Sequence, residues 1–101
     1  MDLETKEWID ATLARIDRRT IFIDFTNHLL YEKSITGPEE LELLKDVVRT
    51  GKPSIKNSTP YENKICFRKY FSQQNTTYYV VAVVYPEKIK IVTRMPKNGN
   101  A

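Results

Sequence analysis

A single histidine, His28, is the first side chain to consider for chemistry, because imidazole is the side chain whose ordinary pKa lies nearest neutrality. Cleavage of RNA without a metal needs a group that deprotonates a 2′-hydroxyl, a group that protonates the leaving oxygen, and cations that stabilise the charge building on the phosphate. The chain has candidates for these roles in His28, Lys33, Arg68, Tyr70 and Arg94. The alternative is a histidine that serves only as a structural hydrogen-bonding residue, and the spacing leaves both interpretations open.

Other catalytic templates are missing from the sequence. It contains no glycine-rich phosphate loop of the G-x-x-x-x-G-K type and no G-x-S-x-G nucleophile elbow. Cys66 is the only cysteine, so it forms no disulfide within the chain, and one cysteine with one histidine cannot make a Cys/His zinc site. We therefore expect no metal and no cofactor, and we interpret Cys66 as a small core residue.

The charges are divided unevenly along the chain. The length of 101 residues and the 41% hydrophobic content indicate one globular domain and exclude a two-domain enzyme. Residues 1–50 contain seven basic and eleven acidic residues, whereas residues 51–101 contain nine basic residues and two acidic ones. This division predicts a polyanion-binding surface built from the second half, and the alternative is that the two halves pack against each other.

The first half of the chain predicts mostly helical structure. Residues 1–19 predict an amphipathic helix, because Ile9, Leu13 and Ile16 recur at helical spacing and basic residues gather at its end. Residues 20–52 predict a short strand, a segment that carries His28, and a capped helix. The sequence Thr36-Gly37-Pro38-Glu39 has capping-box spacing with proline in the first turn, and it marks the start of that helix.

The second half predicts strands. Residues 53–64 are rich in Ser, Asn, Thr and Pro and predict a loop. Residues 65–94 predict a three-stranded β-meander whose middle strand, over 77–85, is β-branched and aromatic and is expected to be covered on both faces. Residues 95–101 predict a flexible tail. The expected fold is α+β, with N-terminal helices packed on one face of a largely antiparallel sheet.

Alternation within the predicted strands separates two faces of the sheet. If Phe67 and its apolar neighbours face the helices, Arg68 and Tyr70 point outward, and Lys88, Lys90 and Arg94 do the same on the last strand. With a tyrosine from position 78 or 79, such a face combines cations for phosphates with rings that stack on bases. The alternative is an ordinary solvated face whose Lys and Arg prevent edge pairing.

Two stretches of the chain resemble a known group of proteins. Residues 23–41 place a histidine, then a basic residue, then an I-T cap before a helix, and the second half has Arg68-Lys69-Tyr70 followed by an I-V-T strand at 91–93. Together they resemble BrnT-like and RelE-like toxin domains of the barnase–EndoU–colicin–RelE superfamily, over roughly residues 20–95. The resemblance implies a small metal-independent endoribonuclease. It also implies a catalytic cleft with these residues: His28, Lys33, Arg68, Tyr70, Thr93 and Arg94.

The resulting hypothesis is a toxin that cleaves RNA by attack of a 2′-hydroxyl on the neighbouring phosphate. Its expected partners are RNA, which includes ribosome-bound mRNA or tRNA, and an acidic antitoxin or immunity protein. The residues expected to bind RNA around the cleft are Lys69, Tyr78, Tyr79, Lys90 and Lys97. The alternative is a non-catalytic RNA- or protein-binding module with the same fold. The acidic N-terminus and the short apolar runs predict a cytoplasmic protein without a membrane segment.

Overall fold

The computed structural model describes residues 2–31 and 37–100. Its helices are α1 (Asp2–Leu13), α2 (Asn27–Leu30) and α3 (Pro38–Thr50), with a 3₁₀ turn at Pro60–Glu62. Its strands are β1 (Phe22–Phe25), β2 (Lys52–Thr59), β3 (Lys64–Phe71), β4 (Thr76–Val84) and β5 (Lys88–Asn98). Within this described part of the chain, no helix is both long enough and apolar enough to cross a lipid bilayer.

The five strands form one sheet in the order β1-β5-β4-β3-β2. The β1–β5 pair is parallel, and the other three described pairs are antiparallel. Helices α1 and α3 pack on one face of this sheet, which confirms the predicted α+β class. The core between helices and sheet contains these residues: Ile9, Ile23, Leu29, Leu44, Val47, Val48, Ile65, Phe67, Val80, Ala82, Val84, Ile89 and Ile91. Full burial of a side chain such as Leu or Phe stabilises the fold by roughly 1.5–3 kcal/mol, so this face of the sheet is held firmly to the helices.

Helix α1 is shorter than the sequence predicts, since it ends at Leu13 and residues 14–17 continue in turns. Arg18, expected in the last turn of that helix, instead donates from Nη1 to the carbonyl oxygens of Val48 at 3.0 Å and Gly51 at 2.8 Å. It places a cation at the C-terminal end of α3, where the last carbonyls lack helical donors and the helix dipole favours positive charge. The arginine therefore joins the N-terminal segment to α3.

Helix α3 begins and ends close to the predicted positions. Its N-cap is Gly37, with φ 130°, and Pro38 occupies the first turn. Gly37 therefore stands where the capping box would place Thr36, which itself lies outside the described residues. At the other end the helix stops at Thr50, and Gly51 follows as its C-cap.

The prediction of a loop over 53–64 is wrong, because β2 and the 3₁₀ turn occupy this segment. Strand β2 lies at the sheet edge and pairs on one side only, with β3. Proline, which has no backbone N–H, is tolerated in edge strands for this reason, and Pro53 is such a residue. The register shifts between Ser54 and Thr59, and within this irregular stretch Ser58 Oγ donates to the Ser54 carbonyl at 2.7 Å. An irregular edge strand can therefore have the same polar composition as a loop, which is why the composition of this segment predicted a loop.

The prediction of a flexible tail over 95–101 is also wrong for most of its length. Strand β5 continues to Asn98, and the backbone N–H of Gly99 donates to the carbonyl of Asn75 at 2.7 Å. The start of β4 pairs with this stretch, as in the pairs Thr76 with Asn98 and Tyr79 with Met95. The start of β4 thus provides backbone hydrogen-bonding partners for the end of β5, and the sequence of the tail alone does not reveal this pairing.

Strand β4 is central in the sheet, as predicted, but the described helices cover only one of its faces. Val80, Ala82 and Val84 are buried beneath them. Tyr79, Val81 and Val83 alternate with these residues and are partly exposed. The expectation of a strand covered on both faces is therefore wrong, and one face of the sheet remains available for contacts.

Candidate nucleic-acid interface

The sheet face opposite α1 and α3, which we call the open face, is defined by the buried residues on the other side. In β3, Ile65 and Phe67 face the helices, so Arg68 and Tyr70 point to the open face. The register agrees, since Arg68 pairs with Tyr79 and Tyr70 pairs with Thr77 across the β3–β4 ladder. Side chains directly opposite each other in a ladder share a face and lie about 5 Å apart at Cβ.

Positive charge is concentrated on the open face. The register places six of the nine cations of the second half there: Lys52, Lys64, Arg68, Lys88, Lys90 and Lys97. Among the described strand residues, the carboxylate on this face is Asp24, whose Oδ1 accepts a hydrogen bond from the Phe25 N–H at 2.8 Å. Lys64 is paired with Glu62 of the 3₁₀ turn at 3.1 Å. Lys52, Lys88, Lys90 and Lys97 add further positive charge, and they give the face a positive potential suited to phosphates.

Tyr79 lies near the middle of the open face. Arg68 of β3 and Met95 of β5 are its neighbours on either side in the ladder. The ammonium of Lys97 lies 5.5 Å from the centroid of the tyrosine ring. A partly exposed ring with a guanidinium, a thioether and an ammonium around it is a platform on which a base can stack.

The phenol of Tyr70 is held in place at the end of β3. Its hydroxyl donates to Asn75 Oδ1 at 2.9 Å, within the turn between β3 and β4. Asn75 adopts a left-handed conformation with φ 48°, which asparagine tolerates better than most residues. The turn therefore holds the Tyr70 hydroxyl in place, and the Tyr70 side chain shares its face of the sheet with that of Arg68.

Arg94 lies on the helix side of the sheet, which corrects the prediction that it points outward. Ala82 pairs with Ile91 whereas Val81 pairs with Thr93, so β5 has one extra residue, Val92, at this point. Such a bulge reverses the alternation of side chains beyond it. Arg94 therefore lies opposite the core residue Val80, and its Nε is 3.5 Å from Oε1 of Glu40 on α3.

Two of the residues predicted to bind RNA also lie on the helix side. Lys69 donates from Nζ to Asp46 Oδ2 at 2.6 Å and to Thr50 Oγ1 at 2.8 Å, both on α3. Tyr78 packs edge-on against Phe71, with the ring centroids 5.7 Å apart. Side chains alternate along each strand, so the placement of Arg68 and Tyr79 on the open face puts Lys69 and Tyr78 on the helix side.

The structure brings only part of the predicted catalytic set together. Thr93 faces the open side opposite Val81, and thus shares a face with Arg68 and Tyr70. His28 is exposed on α2, the short helix that follows β1 and contacts β5. Lys33 lies outside the described residues. The open face thus unites three of the six candidates, while Arg94 lies on the opposite side of the sheet.

The open-face residues that sequence reasoning missed include Lys52 and Met95. Lys52 pairs with Arg68, and Met95 pairs with Tyr79. Both lie in or beside segments predicted as a loop and a tail, so no strand register was assigned to them. The available signal was the β-branched start of β4. A central strand that begins at Thr76 has unpaired backbone groups there unless neighbouring strands extend beside it on both sides.

Cys66 contributes no nucleophile to this face. Its side chain is fully buried, and burial raises the pKa of the thiol to about 11. A thiol with a raised pKa is protonated near neutral pH and is a poor nucleophile. The interpretation of Cys66 as a small structural residue agrees with this environment.

Comparison of the chain with protein families, with curated proteins and with solved structures found no match. The resemblance to the barnase–EndoU–colicin–RelE superfamily therefore stays a prediction that rests on the sequence motifs.

Proposed function

We propose that this protein binds single-stranded RNA on the open face of its sheet. The proposal rests on one observation: Arg68, Met95 and Lys97 surround Tyr79 on a positively charged face. The cations attract the phosphates, and the ring supplies a surface on which any base can stack.

The contact between Lys97 and Tyr79 is weak enough to be replaced by a base. An exposed cation–π contact contributes about 0.5–1 kcal/mol, whereas stacking of a base on an aromatic ring contributes about 1–3 kcal/mol. The ammonium displaced from the ring would then pair with a neighbouring phosphate. Binding thus gains the base stacking and a phosphate contact, and it loses only the weaker cation–π contact.

Binding is tested by fluorescence anisotropy with labelled oligouridine at several salt concentrations. We expect Tyr79→Ala to weaken binding about tenfold, which corresponds to about 1.4 kcal/mol. Lys90→Gln should weaken binding and reduce the slope of log K against log salt by about 0.7, because one phosphate contact to a single strand is lost.

Tyr61→Ala is the matched control, since Tyr61 is 91% exposed in the 3₁₀ turn and outside the open face. It should leave both affinity and salt slope unchanged. Equal losses for Tyr79→Ala and Tyr61→Ala, or no salt-dependent binding by the wild type, would contradict the proposal.

Cleavage of the bound RNA is the second candidate function, favoured by the shared face of Arg68, Tyr70 and Thr93. In this reaction the 2′-oxygen forms a bond to phosphorus and the P–O5′ bond breaks. One proton leaves the 2′-hydroxyl and another is delivered to the 5′-oxygen. Arg68 would stabilise the charge on the phosphate, and the Tyr70 hydroxyl would act in proton transfer.

As a toxin, the protein would act in the cytoplasm, on free or ribosome-bound RNA, and be held inactive by an acidic antitoxin or immunity protein. Incubation with RNA in the presence of a chelator, with and without translating ribosomes, should then yield fragments that end in 2′,3′-cyclic phosphate. Arg68→Ala and Tyr70→Phe should each lower the rate at least 100-fold, in line with loss of a charge-stabilising or proton-transfer group. Binding without any fragments in either arm would leave the RNA-binding module as the function.

A further inference from the structure

Phe22, the first residue of β1, is a large apolar side chain that the fold leaves exposed. Its exposed fraction is 64%, although the next residue, Ile23, is buried in the core beneath the helices. Because side chains alternate along a strand, Phe22 points to the open face. The core therefore gives no reason for a phenylalanine at this position, and its ring is accessible to a binding partner.

The residues beside Phe22 form a row across one end of the open face. Lys88 of β5 is the direct partner of Phe22 in the β1–β5 ladder. The ammonium of Lys88 lies 5.8 Å from the ring centroid of Tyr85, which is also exposed and directly follows β4. Two accessible rings thus lie close to one cation. We call Phe22, Lys88 and Tyr85 the Phe22 row.

The Phe22 row repeats a feature of the surroundings of Tyr79. In both places a lysine of β5 lies over a tyrosine, with ammonium-to-ring distances of 5.5 Å at Tyr79 and 5.8 Å at Tyr85. The two tyrosines are six residues apart in the sequence, which corresponds to about 20 Å along an extended strand. Lys90 lies between them, opposite Val83 in the β4–β5 ladder. A nucleic-acid strand that contacts both tyrosines would therefore pass this cation.

Charge alone does not account for the Phe22 row. Asp24, two residues after Phe22, is the register partner of Lys90 and offsets part of its charge. Glu87, which precedes Lys88, is exposed at the same end of the sheet. The rings therefore distinguish this end of the open face, and they favour stacking of a base, which contributes about 1–3 kcal/mol, over a further phosphate contact.

We propose that the Phe22 row is a second base-stacking site for the same RNA strand that stacks on Tyr79. This inference rests on the proposed RNA binding, and it adds a minimum length for the ligand. A strand advances about 3.4 Å per nucleotide when stacked and roughly twice that when extended, so about three to six nucleotide steps separate the two sites. A trinucleotide can therefore occupy only one site. A longer strand occupies both and gains affinity, because its second contact is intramolecular.

The test compares the binding of labelled triuridine and decauridine by fluorescence anisotropy. The wild type should bind the decamer at least about tenfold more tightly than the trimer. Phe22→Ala and Phe22→Leu should each weaken decamer binding about tenfold and trimer binding by no more than about twofold, because leucine keeps apolar bulk but offers no ring. Phe22→Tyr, which keeps a ring, should bind both within about twofold of the wild type. The salt slope should stay unchanged in all three variants, because no phosphate contact is lost.

Leu3→Ala is the matched control. Leu3 is an apolar residue of α1 with an exposed fraction of 67%, close to that of Phe22, and α1 packs on the other face of the sheet. The substitution should leave the affinity for both oligonucleotides unchanged. A loss of decamer binding in Leu3→Ala equal to that in Phe22→Ala would count against a specific site at the Phe22 row.

The outcomes separate the Phe22 row from the proposed function. Absence of salt-dependent decamer binding, or no effect of Tyr79→Ala on it, would contradict the RNA binding itself. Weaker binding in Tyr79→Ala but not in Phe22→Ala would overturn only the Phe22 row, as would full affinity of Phe22→Leu. A lower sedimentation mass of Phe22→Ala than of the wild type would also overturn it, since Phe22 would then join two copies of this chain.

A measurement on the wild type covers the case in which the Phe22 variants do not fold. The ring resonances of Phe22 should shift when decauridine is added, because a stacked base changes their magnetic environment. Shifts at this ring would support the second stacking site, and unchanged ring resonances at saturating decamer would refute it.

Discussion

The position of Arg94 leads to a prediction that separates a structural role from a catalytic one. The Arg94 side chain is 7% exposed and that of Glu40 is 13% exposed, with Nε and Oε1 3.5 Å apart. Arg94→Met removes the cation and leaves the Glu40 carboxylate in a largely dehydrated site. We therefore expect the substitution to destabilise the fold while leaving the open face intact.

The size of the effect follows from this burial. Removal of one partner from a buried ion pair costs about 3–5 kcal/mol, and the long Nε–Oε1 distance places this pair near 3 kcal/mol. For a domain of this length, 1 kcal/mol shifts the Tm by roughly 4–8 °C, so we expect Arg94→Met to lower the Tm by about 12–24 °C. The double variant Arg94→Met/Glu40→Met should recover most of the loss, because an apolar pair avoids the dehydration of both charges.

Thermal unfolding followed by circular dichroism measures these changes, and RNA affinity is measured on the folded variants well below their Tm. The affinity of Arg94→Met should lie within about twofold of the wild type, since no phosphate contact is lost. An unchanged Tm together with a large loss of RNA binding would refute the reasoning. Such a result would mean that Arg94 serves the open face, as the superfamily resemblance implies.

Two further predictions concern the stability of the fold, one at Gly51 and one at the buried thiol of Cys66. A Cβ at Gly51 would contact the carbonyl oxygen of Val47 and lie 2.7 Å from that of Arg68, so Gly51→Ala should cost on the order of 2–4 kcal/mol in urea unfolding. Lys52→Ala, at the exposed next position, should cost less than about 0.5 kcal/mol. The pKa of Cys66 is raised by burial from 9.0 to about 11, so the folded protein keeps a proton that the unfolded chain loses in this range. Stability should therefore fall from pH 9 to pH 11 more steeply in the wild type than in Cys66→Ala, and parallel curves would show that the thiol is not buried.

Local patterns in the sequence were sufficient for the elements whose side chains make the core. The helical spacing of Leu44, Val47 and Val48 predicts α3, and the alternation around Phe67 predicts β3. These patterns are reliable because burial on one face imposes them residue by residue. The same alternation correctly placed Arg68 and Tyr70 on the open face, and it is the reason that the centre of the candidate site could be predicted.

Long-range pairing determines what the sequence could not show. The irregular edge strand β2 and the end of β5 have polar, proline-containing sequences, and each becomes a strand only because β3 or β4 offers unpaired backbone groups. The end of α1 was misjudged for a related reason. Arg18 satisfies carbonyl groups 30 and 33 residues away, a partnership that no local window contains.

The bulge at Val92 explains why Arg94 was assigned to the wrong face, because it determines which side chains of β5 reach each face. Strict alternation from Ile89 and Ile91, which are buried, would put Met95 and Lys97 against the helices and Arg94 on the open face. The extra residue reverses this arrangement. Arg94 meets Glu40 beneath the sheet, and Met95 and Lys97 come to lie beside Tyr79 on the open side. One inserted residue therefore creates both the buried ion pair and the surroundings of the tyrosine, so shortening β5 by Val92 would remove the platform and the pair together.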